Sequence, residues 1–344
     1  MLRSDLARPL VYSYGLDRGG GEVLSEIRLT GVIVATVLPF TEKGEIDWGS
    51  YKRLLDYCAA PDGITSVFVN GHAGEGAALT PAERLQVIEI TKEHMDCGKP
   101  LLSGIIPYST AEAIDQAKDA KAAGADVAVL FPQPQFAAGG TRTSDVPLAY
   151  VRAVLDAVGI PVSIFQYPLG SGSGYSTETL VEVARLSGVI AIKEGSDSMT
   201  AYEDNWRRVK EAAPNVSILP SNFDWFLAQC AVGADGILSG LASLAPHFLI
   251  DLWRATEAAD LSAMRAAGDR LYAIVRTIYG APPRMDMHTR IKAALKHLGV
   301  IDCALPRPPL LSVSENIAAK VACTVDAARL ASYVLDTPPR QAAF

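Results

Sequence analysis

The chain alternates short runs of branched apolar residues with longer helical segments, and this alternation limits its fold more than any other feature. The runs are too short for helices and are typical of strands buried in a parallel sheet. The segments between them carry signals that start helices. A capping box from Thr80 to Glu83 predicts a helix over 80–97, and Thr110 as N-cap predicts a helix over 110–123. The runs that predict strands are 31–37, 65–70, 100–106, 125–131, 161–167, 188–193, 216–219 and 234–239.

Eight predicted strands with helical crossovers indicate an α/β fold, a (β/α)8 TIM barrel. A doubly wound sheet is the competing arrangement, and it is disfavoured because no Gly-x-Gly-x-x-Gly follows the first strand. After about residue 244 the pattern turns helical, over 244–257, 261–279, 287–298 and 314–335. That is more helix than a barrel needs, so we predict a C-terminal helical extension. The expected parts are an N-terminal extension over 1–28, the barrel over 29–257 and a C-terminal helical region over 258–344.

Composition limits the partners and the compartment of this chain of 344 residues with net charge -7. No basic stripe occurs, so nucleic acid is not an expected partner. No apolar run reaches the roughly 20 residues that span a bilayer, so no membrane partner is expected either. The first residues lack the apolar core of a secretory signal. The cysteines are odd in number, widely spaced and without a CxxC motif, which is typical of reduced thiols and predicts a cytoplasmic protein; they are Cys58, Cys97, Cys230, Cys303 and Cys323.

Lys193 is the candidate nucleophile. It ends the predicted strand 188–193, and the carboxyl ends of barrel strands are where such enzymes place their chemistry. Burial disfavours an ammonium and lowers its pKa, and a neutral amine can attack a carbonyl to form a Schiff base. Position alone also fits a lysine that extends its amine into solvent.

Two more strand ends carry candidate site residues. In the loop 70–76, glycines allow a sharp turn whose N–H groups can form an anion nest suited to a carboxylate, and His72 is either a proton carrier or a hydrogen-bonding group. On the fifth strand, alternation places Phe165 and Tyr167 on one face. If that face points inward, the Tyr167 phenol lies near the barrel mouth and can transfer a proton. The alternative is an aromatic pair that fills the barrel core.

The sequence gives little support for a metal site. The histidines share no metal-type spacing, and His72 with Glu75 is the only short pair. We therefore expect no metal and no cofactor, while a metal-dependent aldolase stays open as an alternative.

Several ordered segments carry a likeness to a known family: 31–40, 44–47, 71–75, 79–84, 190–194, 233–239, 291–295 and 298–299. Through them the chain resembles the dihydrodipicolinate synthase and N-acetylneuraminate lyase superfamily of Schiff-base aldolases from about residue 30 to about residue 310. The resemblance implies a barrel, a homotetramer or homodimer, and an imine between Lys193 and pyruvate or another 2-oxo acid, with an aldehyde or second keto acid as the other substrate. It also places Gly71, His72 and Ala73 at the carboxylate loop, and Phe165 and Leu238 beside the substrate.

Departures from the family pattern point away from dihydrodipicolinate synthase itself. Phe165 stands where the family has a tyrosine, and Tyr167 lies two residues later. His72 and Ala73 replace the hydroxyl residues of the carboxylate loop. Gly170 falls where the synthases carry an arginine.

Three functions follow from these residues. The favoured one is a class I lyase, aldolase or dehydratase, that acts through an imine on Lys193 with Tyr167 as proton carrier. The second is a non-catalytic or regulatory protein that binds 2-oxo acids on the same scaffold. The third is the metal-dependent aldolase.

Overall fold

The computed structural model describes residues 27–95, 98–141, 143–221 and 225–335. In these ranges eight parallel strands lie side by side in the order β7-β6-β5-β4-β3-β2-β1-β8. The N–H of Asp235, just before β8, donates to the carbonyl of Ile218 on β7 at 3.0 Å and joins the two ends of the sheet. The predicted (β/α)8 barrel is confirmed. Its strands are β1 Gly31–Ala35, β2 Ile64–Val69, β3 Leu101–Ile105, β4 Val127–Leu130, β5 Val162–Gln166, β6 Val189–Glu194, β7 Ser217–Pro220 and β8 Gly236–Ser239.

Each strand is followed by a helix that packs on the outside of the barrel. The predicted capping box of α2 is confirmed, because Thr80 Oγ1 accepts from the Glu83 N–H and the Glu83 carboxylate accepts from the Thr80 N–H. The N-cap of α3 was predicted one residue too late, since Ser109 and not Thr110 accepts from the Glu112 N–H. The helices are α1 Trp48–Ala59, α2 Pro81–Met95, α3 Thr110–Ala122, α4 Asp145–Val158, α5 Thr177–Ala184, α6 Met199–Ala212, α7 Phe226–Val232 and α8 Pro246–Glu257.

The chain continues into the predicted C-terminal helices α9 Leu261–Ile278, α10 Met287–His297, α11 Glu315–Ala327 and α12 Ala331–Leu335. The prediction of one helix over 314–335 was wrong, because the chain breaks at Arg329, whose φ of 55° is left-handed. No described helix has both the length and the apolar character needed to cross a bilayer.

Residues 1–26 and Cys97 lie outside the described residues, and the boundaries 1–28, 29–257 and 258–344 stay predictions. The other four cysteines are free thiols: Cys58, Cys230, Cys303 and Cys323.

Candidate active site

The Lys193 amine lies inside the barrel near the carboxyl end of β6. The residue is only 8% exposed, and its Nζ is 3.4 Å from the centroid of the Phe165 ring, which faces it from the register-paired position on β5. Among the described residues, Nζ has neither a hydrogen-bond partner nor an ion-pair partner. Burial lowers the pKa of Lys193 to about 7, and the neighbouring Glu194 only partly opposes this. Much of this amine is therefore neutral, and so nucleophilic, near neutral pH.

Glu194 occupies the opposite face of the same strand, and no sequence pattern identified it as a site residue. Its carboxyl is fully buried, and one oxygen accepts hydrogen bonds from Asn205 Nδ2 on α6 at 3.1 Å and from the Ser196 N–H at 3.3 Å. Burial raises the pKa of Glu194, against the effect of these donors. These contacts hold the Glu194 face at the end of β6 in place, while Lys193 on the other face points into the barrel.

Tyr167 and His72 meet across the barrel mouth. The Tyr167 hydroxyl lies 2.6 Å from His72 Nε2, although one residue follows β5 and the other follows β2. Burial raises the pKa of Tyr167 above its ordinary value. Part of His72 remains open to solvent, but packing of its ring and the charge of Lys193 both lower its pKa. Both groups are therefore neutral near pH 7, joined by one hydrogen bond through which a proton can move.

Four rings form an aromatic wall beside the Lys193 amine. The ring of Phe165 packs 4.8 Å from Tyr167 and 4.9 Å from Phe131 between centroids, and His72 packs 5.0 Å from Phe131. The predicted shared face of Phe165 and Tyr167 is confirmed by this contact. Phe131, which follows β4, is a member that the sequence did not identify. The wall keeps one side of the amine dry.

The loop after β2, the predicted anion nest, makes a sharp turn. Asn70 and Glu75 adopt left-handed φ values of 57° and 53°. A Cβ at Gly76 would lie 2.0 Å from the Asn70 carbonyl oxygen, so only glycine fits there. Within the described ranges, the N–H groups of His72 and Ala73 find no acceptor in the protein. They are therefore available to a bound carboxylate.

Glu75 anchors this loop to the C-terminal part of the chain. One of its oxygens accepts a hydrogen bond from the buried Lys292 ammonium on α10, and the other accepts from the Arg307 N–H at 2.7 Å. Both oxygens are thus engaged, which removes the support for a metal site made by His72 and Glu75. The described residues also contain no group of three or more His, Cys, Asp or Glu arranged to hold a metal.

The other predicted site residues fall in different places. Gly71 lies against the ring of Phe68, where a Cβ would be 2.6 Å from two ring carbons. Leu238 is fully buried in β8, paired with Ile33 of β1. Its contact with substrate stays a prediction.

Three residues of other segments carry side chains that can reach a barrel mouth. Arg142 lies outside the described residues. Arg284 forms an ion pair with Asp197, which follows β6, at 2.5 Å. His288, on α10, reaches the mouth beside Gly240 and Ala73.

Comparison with known proteins places this chain among relatives of the same fold. A family model described as the dihydrodipicolinate synthetase family matches residues 28–328, so the chain belongs to that family. It is therefore an enzyme, a lyase of the class I aldolase type.

Curated relatives align along nearly their whole length. The 4-hydroxy-tetrahydrodipicolinate synthase of Protochlamydia amoebophila is 28% identical over 294 residues, which cover 86% of this chain and 95% of that protein. The protein of the same name from Methylobacterium radiotolerans is 31% identical over 290 residues, covering 84% and 92%.

Solved structures support the fold. Dihydrodipicolinate synthase from Thermotoga maritima superposes with a TM-score of 0.80 at 23% identity, over 88% of this chain and 100% of that one. YagE, a prophage protein of the dihydrodipicolinic acid synthase family from E. coli K12 solved in complex with pyruvate, gives 0.79 at 24% identity, over 88% and 99%. At these identities the likeness concerns the fold alone.

Proposed function

We propose that this enzyme is a class I lyase that forms an imine between Lys193 and pyruvate or a pyruvate-derived 2-oxo acid. The observation that carries the proposal is the buried Lys193 amine inside the barrel, which has no partner among the described residues, at a mouth where N–H donors of His72 and Ala73 likewise meet no described acceptor. A buried lysine without a counter-ion costs folding free energy, and such a cost is typical of a catalytic group. Relatives solved with pyruvate, from E. coli and from Acinetobacter baumannii, support the choice of substrate.

The proposed chemistry begins with addition of neutral Nζ to the C2 carbonyl carbon of the 2-oxo acid. Loss of the C2 oxygen as water leaves a protonated imine, which accepts an electron pair from the C3 side. Loss of a C3 proton, or cleavage of the C3–C4 bond, then gives an enamine. The enamine can attack an aldehyde, or expel a C4 hydroxyl as water. In each case the carboxylate rests on the N–H groups of His72 and Ala73.

Tyr167 and His72 supply the proton transfer in this proposal. The family tyrosine position is Phe165, which has no hydroxyl, but Tyr167 brings a phenol to the same wall. Its hydrogen bond to a neutral imidazole at 2.6 Å gives the phenol a base to which it can pass a proton. A neutral histidine thus takes the place that a loop hydroxyl holds in the family pattern.

The second substrate distinguishes this enzyme from its named relatives in our proposal. Gly170 stands where synthases of the family have an arginine, and nothing lies within 4 Å of a Cβ placed there. We therefore propose that the second substrate is an aldehyde or keto acid other than the one used in 4-hydroxy-tetrahydrodipicolinate synthesis. We also propose a cytoplasmic homotetramer or homodimer.

Trapping with borohydride tests the proposal. Incubation with pyruvate and sodium cyanoborohydride, followed by peptide mass spectrometry, should leave a reduced adduct on Lys193. A panel of 2-oxo acids that differ at C3 and C4 then identifies the preferred substrate. A Lys193 peptide that stays unmodified with every member of the panel would falsify the imine.

Binding and turnover need separate measurements. If the adduct forms on Lys193 but no aldehyde is consumed and no water is eliminated, the chain is a 2-oxo-acid-binding protein. Product formation from any pair of keto acid and aldehyde excludes that alternative.

A further inference from the structure

His288 is a buried histidine that takes no part in the proposed chemistry of Lys193, Tyr167 and His72. It lies in the first turn of α10, and 9% of its surface is exposed. A Cβ built on Gly240, just after β8, would lie 3.3 Å from its Cδ2 and Nε2 and 3.4 Å from the Ala73 side chain. The imidazole edge, the end of β8 and the anion nest thus converge on one point.

The imidazole of His288 has unused hydrogen-bonding capacity. Neither ring nitrogen bonds to another residue in the described part of the chain. Burial, followed by the neighbouring His72, Lys193 and Lys292, lowers the pKa of His288 to about 3. The ring is therefore neutral, with one N–H donor and one acceptor. Neither nitrogen is among the fully buried polar atoms of the described residues that lack a partner, so the ring keeps contact with solvent, and a ligand that replaces this solvent can use the free N–H donor.

The neighbouring residues indicate which ligand group that is. Ala73 offers a backbone N–H but no hydroxyl, so one donor of the family's carboxylate loop is missing beside His288. Lys292, on the same helix, lies close enough to act on His288 electrostatically, but Glu75 and the Leu305 carbonyl occupy its ammonium. A carboxylate seated on the nest thus needs one more donor, and the imidazole lies beside that position.

We propose that His288 donates a hydrogen bond to the carboxylate of the bound 2-oxo acid and replaces the hydroxyl that Ala73 lacks. The inference rests on the function proposed above. Every 2-oxo acid has this carboxylate, so His288 contributes to substrate affinity and not to bond breaking.

Substitution of His288 with two probes tests this inference. In His288→Leu, the pyruvate concentration for half-maximal trapping on Lys193 should rise about 10- to 100-fold, the effect of losing a hydrogen bond to a charged group, with kcat nearly unchanged. With methyl pyruvate, whose ester carries no charge, the change should be below about threefold. His288→Gln keeps an N–H donor and should recover part of the affinity for pyruvate.

The matched control is His297→Gln, which alters an exposed histidine of the same helix that is paired with Asp326 at 2.8 Å. It should trap both probes like the wild type. Thermal melting identifies a variant that has lost its fold, and His288→Gln then carries the test.

Three results would overturn the inference. Equal losses for pyruvate and its ester would make His288 a packing residue, and unchanged affinity for pyruvate would remove the contact. A wild-type protein that traps no 2-oxo acid would remove the proposed function itself, together with this inference.

Discussion

Among the described residues two lysines are buried, Lys193 in the barrel and Lys292 on α10, and they differ in what surrounds their amines. Lys292 is 0% exposed, and its ammonium is held by the Glu75 carboxylate, the Leu305 carbonyl and the face of the Phe40 ring. Lys193 is 8% exposed and faces the Phe165 ring without a charged or hydrogen-bonding partner in the described ranges. Burial lowers the pKa of both, but only for Lys292 does a carboxylate directly compensate the charge.

This difference separates a structural lysine from a reactive one. A paired ammonium fixes a loop to a helix, whereas an unpaired amine loses its proton and becomes a nucleophile. Burial alone is thus common to both roles. The presence or absence of a carboxylate within hydrogen-bond distance decides between them.

Removing the reactive amine should give the largest effect. We expect Lys193→Met to lower turnover by roughly 10⁴-fold or more, as the loss of a covalent nucleophile does, and to abolish the borohydride adduct. Lys92→Met, at a surface lysine paired with Asp126, is the control and should retain activity. Appreciable turnover in Lys193→Met would move the chemistry elsewhere and end the comparison.

Removing the phenol tests whether the amine needs a proton carrier. Tyr167→Phe should lower kcat roughly 10²- to 10⁴-fold, while the Lys193 adduct still forms. Tyr202→Phe removes a hydroxyl that donates to the Gly233 carbonyl and should leave kcat within about twofold of the wild type. If Tyr167→Phe changes kcat as little as Tyr202→Phe does, the role of Tyr167 is packing in the aromatic wall.

The two lysines should respond to methionine with opposite changes in stability. Lys292→Met leaves the Glu75 carboxylate buried and unpaired, which should lower the free energy of unfolding by about 3–5 kcal/mol. Adding Glu75→Gln to that variant should restore part of the loss. Lys193→Met should be as stable as the wild type or more stable, and urea denaturation of all three variants measures these differences. A loss of stability in Lys193→Met comparable to that in Lys292→Met would show that Lys193 is also a structural lysine.

The gain from Lys193→Met should depend on pH. The folded pKa of Lys193 is about 7 and its ordinary value is 10.5, so unfolding takes up a proton between these limits. The cost of the lysine is therefore full below about pH 7 and disappears as the pH rises towards 10.5. The stability advantage of Lys193→Met should shrink over the same window.

The smallest effect expected is on the rate of imine formation. Because the neutral amine is the nucleophile, the rate of trapping with pyruvate should rise about tenfold from pH 6 to pH 8 and level off above that. A rate that keeps rising to pH 10 would indicate an ordinary, hydrated lysine.

Much of the fold could be predicted from the sequence because its signals are local. In a run such as 188–193, six consecutive residues are enough to predict a strand and its burial, and all eight strands were identified in this way. The same locality explains Lys193, which is recognised by its position at a strand end. The break at Arg329 was missed because only the backbone reveals a left-handed residue in a helical pattern.

The partners within the site could not be predicted, because they are distant in sequence. Tyr167 and His72 are 95 residues apart, and Lys292 and Glu75 are 217 apart. No period or spacing connects such residues, and only the closed barrel brings them together. The place of Phe131 in the aromatic wall was not predicted for the same reason, since its aromatic neighbours come from other strands.

The bond from Arg307 to Glu75 also determines when this enzyme becomes complete during its synthesis. The loop over 70–76 is made early, but the two residues that fasten it, Lys292 and Arg307, follow Glu75 by 217 and 232 residues. A ribosome-bound chain that has already formed all eight strands thus still has an unfastened loop. The emerging protein acquires its architecture well before it fastens the loop that we propose as its carboxylate site.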